Sequence, residues 1–452
     1  MKKRIRTAWV LLAAAAAIAP SALLAAQSSP VKAATTVSGS FAFLNYNVAG
    51  LPVVHEPPTT LSMEAAANAI GSRLGPYDIA AMQEDFNYHA YIYATDTHPY
   101  RTATSGPAGV GDGLNTVSND PFEDFTRVTW SSCYPDNGDC LTPKGFSAMR
   151  ILLAPGVYVD FINLHANAGT SSGDETAREN EWAQLTSWIA ANVPAGDALI
   201  VAGDTNSRYT RTADDLQSFV ADNGLTDAWV QLEMGGVAPA AGAPDLVCDE
   251  AAITSTCEVT NKFMYRSSKW VTLTATNYNN QHAKFLDSSG LMLSDMDPIL
   301  TDVAWTENPS YQASDDFGGT GGTAFNDIDS IPASTAVSTL SLSSGNRVDN
   351  IGLTLSNGTT FAHGGTGGTP ATLTLQSGEY PVSLNVCEGS NNGGERLFYA
   401  QWTTNLGHTL GGGTATADCT TFTAPAGDQI SGFFGRSGTE VDKLGVFYTR
   451  VP

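Results

Sequence analysis

Three stretches of this chain share one pattern, and it limits what the first part can fold into. GSFAFLNYNVAG (39–50), GVYVDFINLHANAG (156–169) and DALIVAGDTNSR (197–208) are apolar runs rich in β-branched and aromatic residues. Each ends in Asn, His or Asp beside a small residue, so each reads as a buried strand with chemistry at its tip. Helical stretches lie between them. SMEAAANAIGSRLGP is amphipathic and is stopped by Gly75 and Pro76. DETARENEWAQLTSWIAANVP sets Trp182, Leu185 and Ile189 on one stripe and stops at Pro194, and DDLQSFVADNGL is a third helix with Gly224 as its C-cap. Strands interleaved with helices over 40–305 predict an α/β domain whose sheets are covered on their outer faces.

The composition changes after TENPSYQASDD (306–316), which reads as a polar linker. Gly, Ser and Thr then dominate, helical periodicity vanishes, and short alternating strands recur between turns such as Asn357-Gly358 and Ser377-Gly378. Residues 317–452 are therefore expected to be an all-β domain. Two domains also suit a chain of 452 residues, since a single core rarely grows past about 250–300 residues. At the other end, MKKRIRTAWVLLAAAAAIAPSALLAA is basic, then apolar, then small, the layout of a secretory signal peptide over 1–26, followed by a short segment over 27–39. The apolar run is short for a membrane anchor and is broken by Pro20, so an exported chain without stable membrane insertion is expected.

Six cysteines fit that oxidising destination. Neighbour pairing would close Cys133–Cys140, Cys248–Cys257 and Cys387–Cys419, one of fifteen connectivities. None has the C-x-x-C spacing of a zinc site. The formal net charge is −23, and removal of Lys2, Lys3, Arg4 and Arg6 with the leader would deepen it by four. Such a surface disfavours long nucleic acid as a partner unless a cation or a local basic patch intervenes.

Five places in the first domain put polar groups at the carboxyl end of an apolar run. They are Asn47, the Gln83-Glu84 pair, His165, Asp204 with Asn206, and Asp295. Any one of them could be turn chemistry. Carboxylates, amides and an imidazole together are the inventory for a hard cation working on a phosphoryl group. In order along the chain, NYNVAGLP, QED, NLHAN, GDTNS and SDxDP resemble the endonuclease/exonuclease/phosphatase superfamily. That group includes pancreatic-type deoxyribonucleases, abasic-site endonucleases, sphingomyelinases and inositol-polyphosphate phosphatases.

The resemblance implies a four-layer α/β sandwich, two central β-sheets flanked by helices, and phosphoester cleavage assisted by a divalent ion. Magnesium is the first choice, with manganese or calcium as alternatives. It implies Glu84 as the principal metal ligand with Asn47 beside it. It also implies Asp204 and Asn206 orienting water and phosphate, His165 donating to a phosphate or leaving oxygen, and Asp295 completing the acidic cluster. Two positions depart from the pattern. Met296 stands where the family carries a histidine, and Asn261, in TNKFMYR, where it carries the aspartate that orients that histidine. Three readings follow: a slow or retuned hydrolase in which His165 or water handles the proton, a substitute group such as His282 or Asp297, or a binder that has lost turnover.

FGGTGGTAFND, GNRVDNIGLTLSNG, AHGGTGG and GFFGRSGTEVDKLGVFY resemble the jacalin-related lectins, whose fold is a β-prism. The resemblance implies a sugar site built from Gly322 and the loop Gly438, Thr439, Glu440 and Asp442, with freed backbone N–H groups and one carboxylate binding vicinal hydroxyls. Glu440 stands where those lectins often carry an apolar side chain. The combined expectation is a secreted, metal-dependent phosphoric ester hydrolase targeted to glycans, with a catalytically degenerate carbohydrate-binding protein as the alternative.

Overall fold

The computed structural model describes residues 37–51, 57–106 and 111–452. The leader expected at 1–26 and most of the 27–39 segment lie outside the described residues.

Period-two alternation builds the first domain. Phe43, Asn45 and Asn47 share one face of the Ser38–Asn47 strand, and Phe161, Asn163 and His165 share one face of Val157–His165. Phe43 meets Phe161 and Phe263 edge-on at 5.4 and 4.9 Å, which makes this the inner face of two stacked sheets. The first sheet runs Val271–Asn280, Ile299–Glu307, Ser38–Asn47, Ile79–Gln83, Asn115–Ser118, Tyr100–Arg101. The second runs Phe122–Thr129, Gly145–Ala154, Val157–His165, Leu199–Asp204, Asn261–Arg266, Thr226–Asp227.

Helices cover both outer faces. Met63–Gly71, capped by the Ser62 hydroxyl, lays Ala66, Ala67 and Ile70 against Leu44, Tyr46, Ala80 and Met82 of the first sheet. Ser172–Asn192 opens with a Ser171–Asp174 capping box and buries Trp182, Leu185 and Ile189 against the second. The result is the four-layer α/β sandwich. Among the described residues, no helix is long and apolar enough to cross a membrane. The cysteines close Cys133–Cys140, Cys248–Cys257 and Cys387–Cys419, each between chain neighbours.

The remaining strands form three sheets of five, four and four strands, the β-prism arrangement. Trp402, Phe433, Leu342 and Val386 fill the space between them. The segment read as a linker does not hang free between the two domains. Its first two residues end the Ile299–Glu307 strand, and Tyr311 is buried with its hydroxyl donating to the Ile331 carbonyl at 3.0 Å. Gln312–Ala313 then pairs with Val441–Arg450. The apolar core explains why: Trp270 packs on Phe434 and Phe447 at 5.9 and 5.3 Å, and Tyr158 on Phe434 at 5.8 Å, so the two cores are continuous.

A charge network seals that contact. The Lys443 ammonium, with only 4 % of its side chain exposed, reaches Glu123 and Asp124 at 3.0 Å each and Asp316 at 3.8 Å. Arg150 pairs with Asp160 at 3.2 Å and Asp197 at 2.6 Å. Burial pushes the Asp316 carboxyl up to about 8, against the pull of Lys443. Removing the cation would leave the buried Asp316 and Asp124 beside Glu123 with only the more distant Arg150 and Arg436, at 3.9 and 3.8 Å, to offset them. Lys443→Ala is expected to cost about 3–5 kcal/mol, read from the chemical denaturation midpoint. A loss below about 1 kcal/mol would mean that these acids are solvated and the seal is unimportant.

Candidate active site and sugar-binding loops

Beneath the strand tips lies a seam of buried amides. Gln83 Nε2 donates to Asn45 Oδ1 at 3.0 Å and to Asn163 Oδ1 at 2.7 Å. Asn45 Nδ2 donates to the carbonyls of Gly203 and Lys262 at 2.9 and 3.1 Å, and Asn163 Nδ2 to that of Met82 at 3.1 Å. Every bond in this set except the Gln83–Asn45 contact crosses between the sheets, which fixes how their ends stand relative to each other.

One or two residues further along these strands the chemistry begins. Asn47 Nδ2 donates to Glu84 Oε1 at 2.8 Å and to Asp204 Oδ2 at 3.0 Å, while its Oδ1 accepts from Ala49 N at 3.0 Å. His165 Nε2 stands 3.6 Å from Glu84 Oε1 and 3.9 Å from Asp204 Oδ2. Four of the expected residues therefore meet within one cluster. Burial pushes the Glu84 carboxyl above its ordinary range; Lys144 and the Asn47 amide pull it back, and Asp204 and Asp295 push it further up. Burial, helped by Lys144, holds His165 well below its ordinary value, so the ring is neutral. Its backbone carbonyl accepts from Trp130 Nε1 at 2.7 Å.

The backbone is strained where the acids are presented. Ala49, Glu84 and Asn206 have φ of 49°, 59° and 48°. Such conformations cost of order 1–3 kcal/mol each and persist where the surroundings over-determine them. Gly50 N donates to Glu84 O at 2.7 Å, and a Cβ at Gly50 would lie 2.2 Å from that oxygen, so only glycine admits the approach.

Asn206 is drawn to the rim, its amide donating to Ala166 O at 2.9 Å and its backbone N–H to Asp204 Oδ1 at 3.0 Å. Asp295 follows Ser294, whose hydroxyl donates to Asn47 O at 2.7 Å. Met296 N donates to the same hydroxyl at 3.2 Å. Asn261 lies opposite Asp204 in the ladder and donates to the Asp297 carbonyl at 3.1 Å. Among the described residues, no three His, Cys, Asp or Glu side chains stand together as a ready cage for a metal ion. An amide, Asn47, sits between the two central carboxylates. Sequence reading missed Lys144, which lies in a turn without periodicity, and the Asn45–Gln83–Asn163 seam.

In the lectin domain, Gly322 has φ of 65°, and a Cβ there would lie 2.6 Å from Asp442 Oδ2, so a bare backbone is required beside that carboxylate. Gly438 N donates to Glu440 O at 3.0 Å, closing the loop. Glu440 is clamped by Arg347, which also engages its second oxygen at 2.8 Å, and by Arg396 at 3.0 Å. Its carboxylate therefore braces the loop, and Thr439 lies over Gly365.

Residues 59–272 match the Endonuclease/Exonuclease/phosphatase family 2, and residues 314–447 match the Jacalin-like lectin domain. The chain thus joins an endonuclease/exonuclease/phosphatase domain to a jacalin-related lectin domain. It is 40 % identical over 272 residues to a sphingomyelinase of Mycobacterium bovis, an alignment covering 59 % of this chain and 53 % of that protein. The chain spans about half the length of the curated relatives it matches. Among solved structures, a beta toxin of Staphylococcus aureus with bound magnesium ions is 14 % identical, covering 58 % of this chain and 99 % of that one, with a TM-score of 0.40. A mannose-binding jacalin-related lectin from Ananas comosus is 26 % identical, covering 31 % and 99 %, with a TM-score of 0.28.

The amide seam is testable without any substrate. Asn163→Leu keeps the branching but removes one of the two side-chain acceptors of Gln83 and leaves the Met82 carbonyl without its Asn163 donor, and should cost about 1–3 kcal/mol in thermal or chemical unfolding. An unchanged stability would show that the seam is replaceable by apolar packing.

Proposed function

We propose that this protein is a secreted, cation-assisted phosphodiesterase of the sphingomyelinase kind, held near its substrate by glycan binding through the lectin domain. One observation carries the reading: Asn47, Glu84, Asp204 and His165, from four strand ends, meet within hydrogen-bonding or near-contact distance. The 40 % identity to a sphingomyelinase favours a lipid phosphodiester over the other phosphate esters. The acidic net charge of −23 argues in the same direction, since long nucleic acid would be repelled. Three disulfides accord with export past the expected leader.

The donor set fits a hard divalent ion. Its members are oxygens, and two acids crowd Glu84 in a way that only a cation or a proton relieves. Magnesium in particular is usually held by one or two carboxylates, with water and substrate phosphate completing the shell, so a closed protein cage is not required. Glu84 would hold it, with Asn47 turning its amide to offer Oδ1. When bound, such an ion polarises a phosphoryl oxygen and offsets charge on the leaving group. Asp204 would orient the attacking water with Asn206 at the rim. His165, neutral and buried, would donate to a phosphoryl oxygen.

Hydrolysis of sphingomyelin, bis-p-nitrophenyl phosphate, p-nitrophenyl phosphate and DNA should be compared with and without magnesium or manganese. The diesters are expected to turn over only with the ion, and Glu84→Gln to lose about 10²-fold or more. Because Glu84 must be ionised to hold a cation and burial raises its carboxyl above the ordinary carboxylate range, metal-induced stabilisation should still be growing as pH rises above that range. A thermal shift that is flat with pH, or that survives Glu84→Gln, would remove Glu84 from the metal site. The second reading, a binder without turnover, is favoured by Met296 and Asn261 in place of a His–Asp pair. Complete inactivity on every substrate would select it.

Glycan recognition is assigned to Gly322, Gly438, Thr439 and Asp442, with Glu440 as the brace. On a glycan array the full chain should bind, and Asp442→Ala should abolish the signal. Retained binding would move the sugar site elsewhere.

A further inference from the structure

The imidazole that reaches the cluster around Glu84 is closed off from solvent, and the exposed group there is a carboxyl, Asp295. His165 is 1 % exposed, and its nearest carboxylates, at 3.6 and 3.9 Å, are too far to orient the ring by hydrogen bonding. Met296 carries no exchangeable proton. A short distance along the same end of the sandwich stands a second imidazole with the support His165 lacks. His282 Nδ1 bonds Asp297 Oδ1 at 2.9 Å, and Asn280 Nδ2 holds the other carboxylate oxygen at 3.0 Å. Asn280 Oδ1 in turn accepts from His282 N at 2.9 Å. The Asp297 carbonyl is fixed by Asn261, the ladder partner of Asp204. Both side chains keep an open edge, 17 % and 15 % exposed.

Their placement follows from the sheet. Asn280, Ile299 and Asn45 are successive partners across three neighbouring strands. Adjacent strands are about 4.8 Å apart, so the end carrying His282 stands roughly 10 Å across the sheet from the end carrying Asn47. The leaving oxygen is bonded directly to phosphorus, so a diester would have to lie between these two ends, with side chains leaning in from both, for His282 Nε2 to come within hydrogen-bond reach of it.

We propose that His282, oriented by Asp297 and Asn280, is the group that protonates the leaving oxygen. The inference rests on the phosphodiesterase reading above. The water oxygen forms the new P–O bond and its proton passes to Asp204 and on to solvent. The bond to the leaving oxygen breaks with its electron pair, and that oxygen takes the proton from His282 Nε2, which solvent then restores. Asp297 and Asn280 are positioning residues: a carboxylate accepting from Nδ1–H orients the ring and stabilises the imidazolium whose Nε2 proton goes to the leaving oxygen.

Leaving-group dependence tests it. p-Nitrophenolate departs without a proton, whereas the alkoxide of sphingomyelin needs one. His282→Gln in the full chain should lose about 10²–10⁴-fold on sphingomyelin and far less on bis-p-nitrophenyl phosphate. Asp297→Asn should show the same imbalance, weaker. Added imidazole should restore sphingomyelin turnover to His282→Gly. An equal loss on both diesters with no rescue, or no loss on either, would overturn the role of His282 while leaving the phosphodiesterase reading intact. A wild-type protein inactive on both diesters would overturn the two together.

Discussion

The Gln83 amide, donating at once to Asn45 and Asn163, is the contact on which the first domain depends. Its N–H donor is buried between the sheets where leaving it unpaired would be costly, so the sheets are held at an offset that gives that donor both acceptors. That offset brings Asn47 to both Glu84 and Asp204. The graded face from Phe43 through Asn45 to Asn47, repeated from Phe161 through Asn163 to His165, converts core packing into the geometry of the candidate site over five residues. Strain at Ala49, Glu84 and Asn206 is affordable only because that scaffold beneath them is rigid.

The lectin domain is not a loosely tethered accessory. Aromatic rings from both halves share one core, and Lys443 reaches into acids of the first domain. Under the function proposed above, glycan binding would therefore set the orientation of the candidate phosphoester site as well as its location. A flexible tether would raise local concentration alone. The polar look of 306–316 concealed this, because Tyr311 and a two-residue strand suffice to dock the segment.

Much of the site was legible because its residues recur at strand ends, a position that period-two reading marks. Asn47, Glu84, Asp204 and His165 were found in this way and lie together. Their hydrogen bonds were not legible: nothing in NYN says that one amide serves two carboxylates from other strands. Lys144 gave no signal, since a single lysine in a turn resembles any surface cation. Glu440 was read as a sugar contact because it sits inside the loop motif, while its partners Arg347 and Arg396 lie in other sheets. The amide seam did leave a trace, the shared F-x-N-x-N and F-x-N-x-H spacing, in which the middle residue repays the same scrutiny as the last.

By itself the sequence determined the strands and helices, the order of the motifs and the break between the two halves, because these depend on residues within a turn or a few positions of each other. Cys133–Cys140 and Cys248–Cys257 closed for the same local reason, whereas Cys387–Cys419, 32 residues apart, closes across two paired strands. Only the tertiary structure decided which groups face which: Lys443 against Asp124, Asn261 under Asp297, His282 against that same aspartate. Those choices depend on the offset of sheets and on which buried donor has an acceptor within reach, and neither is encoded in any short stretch of chain.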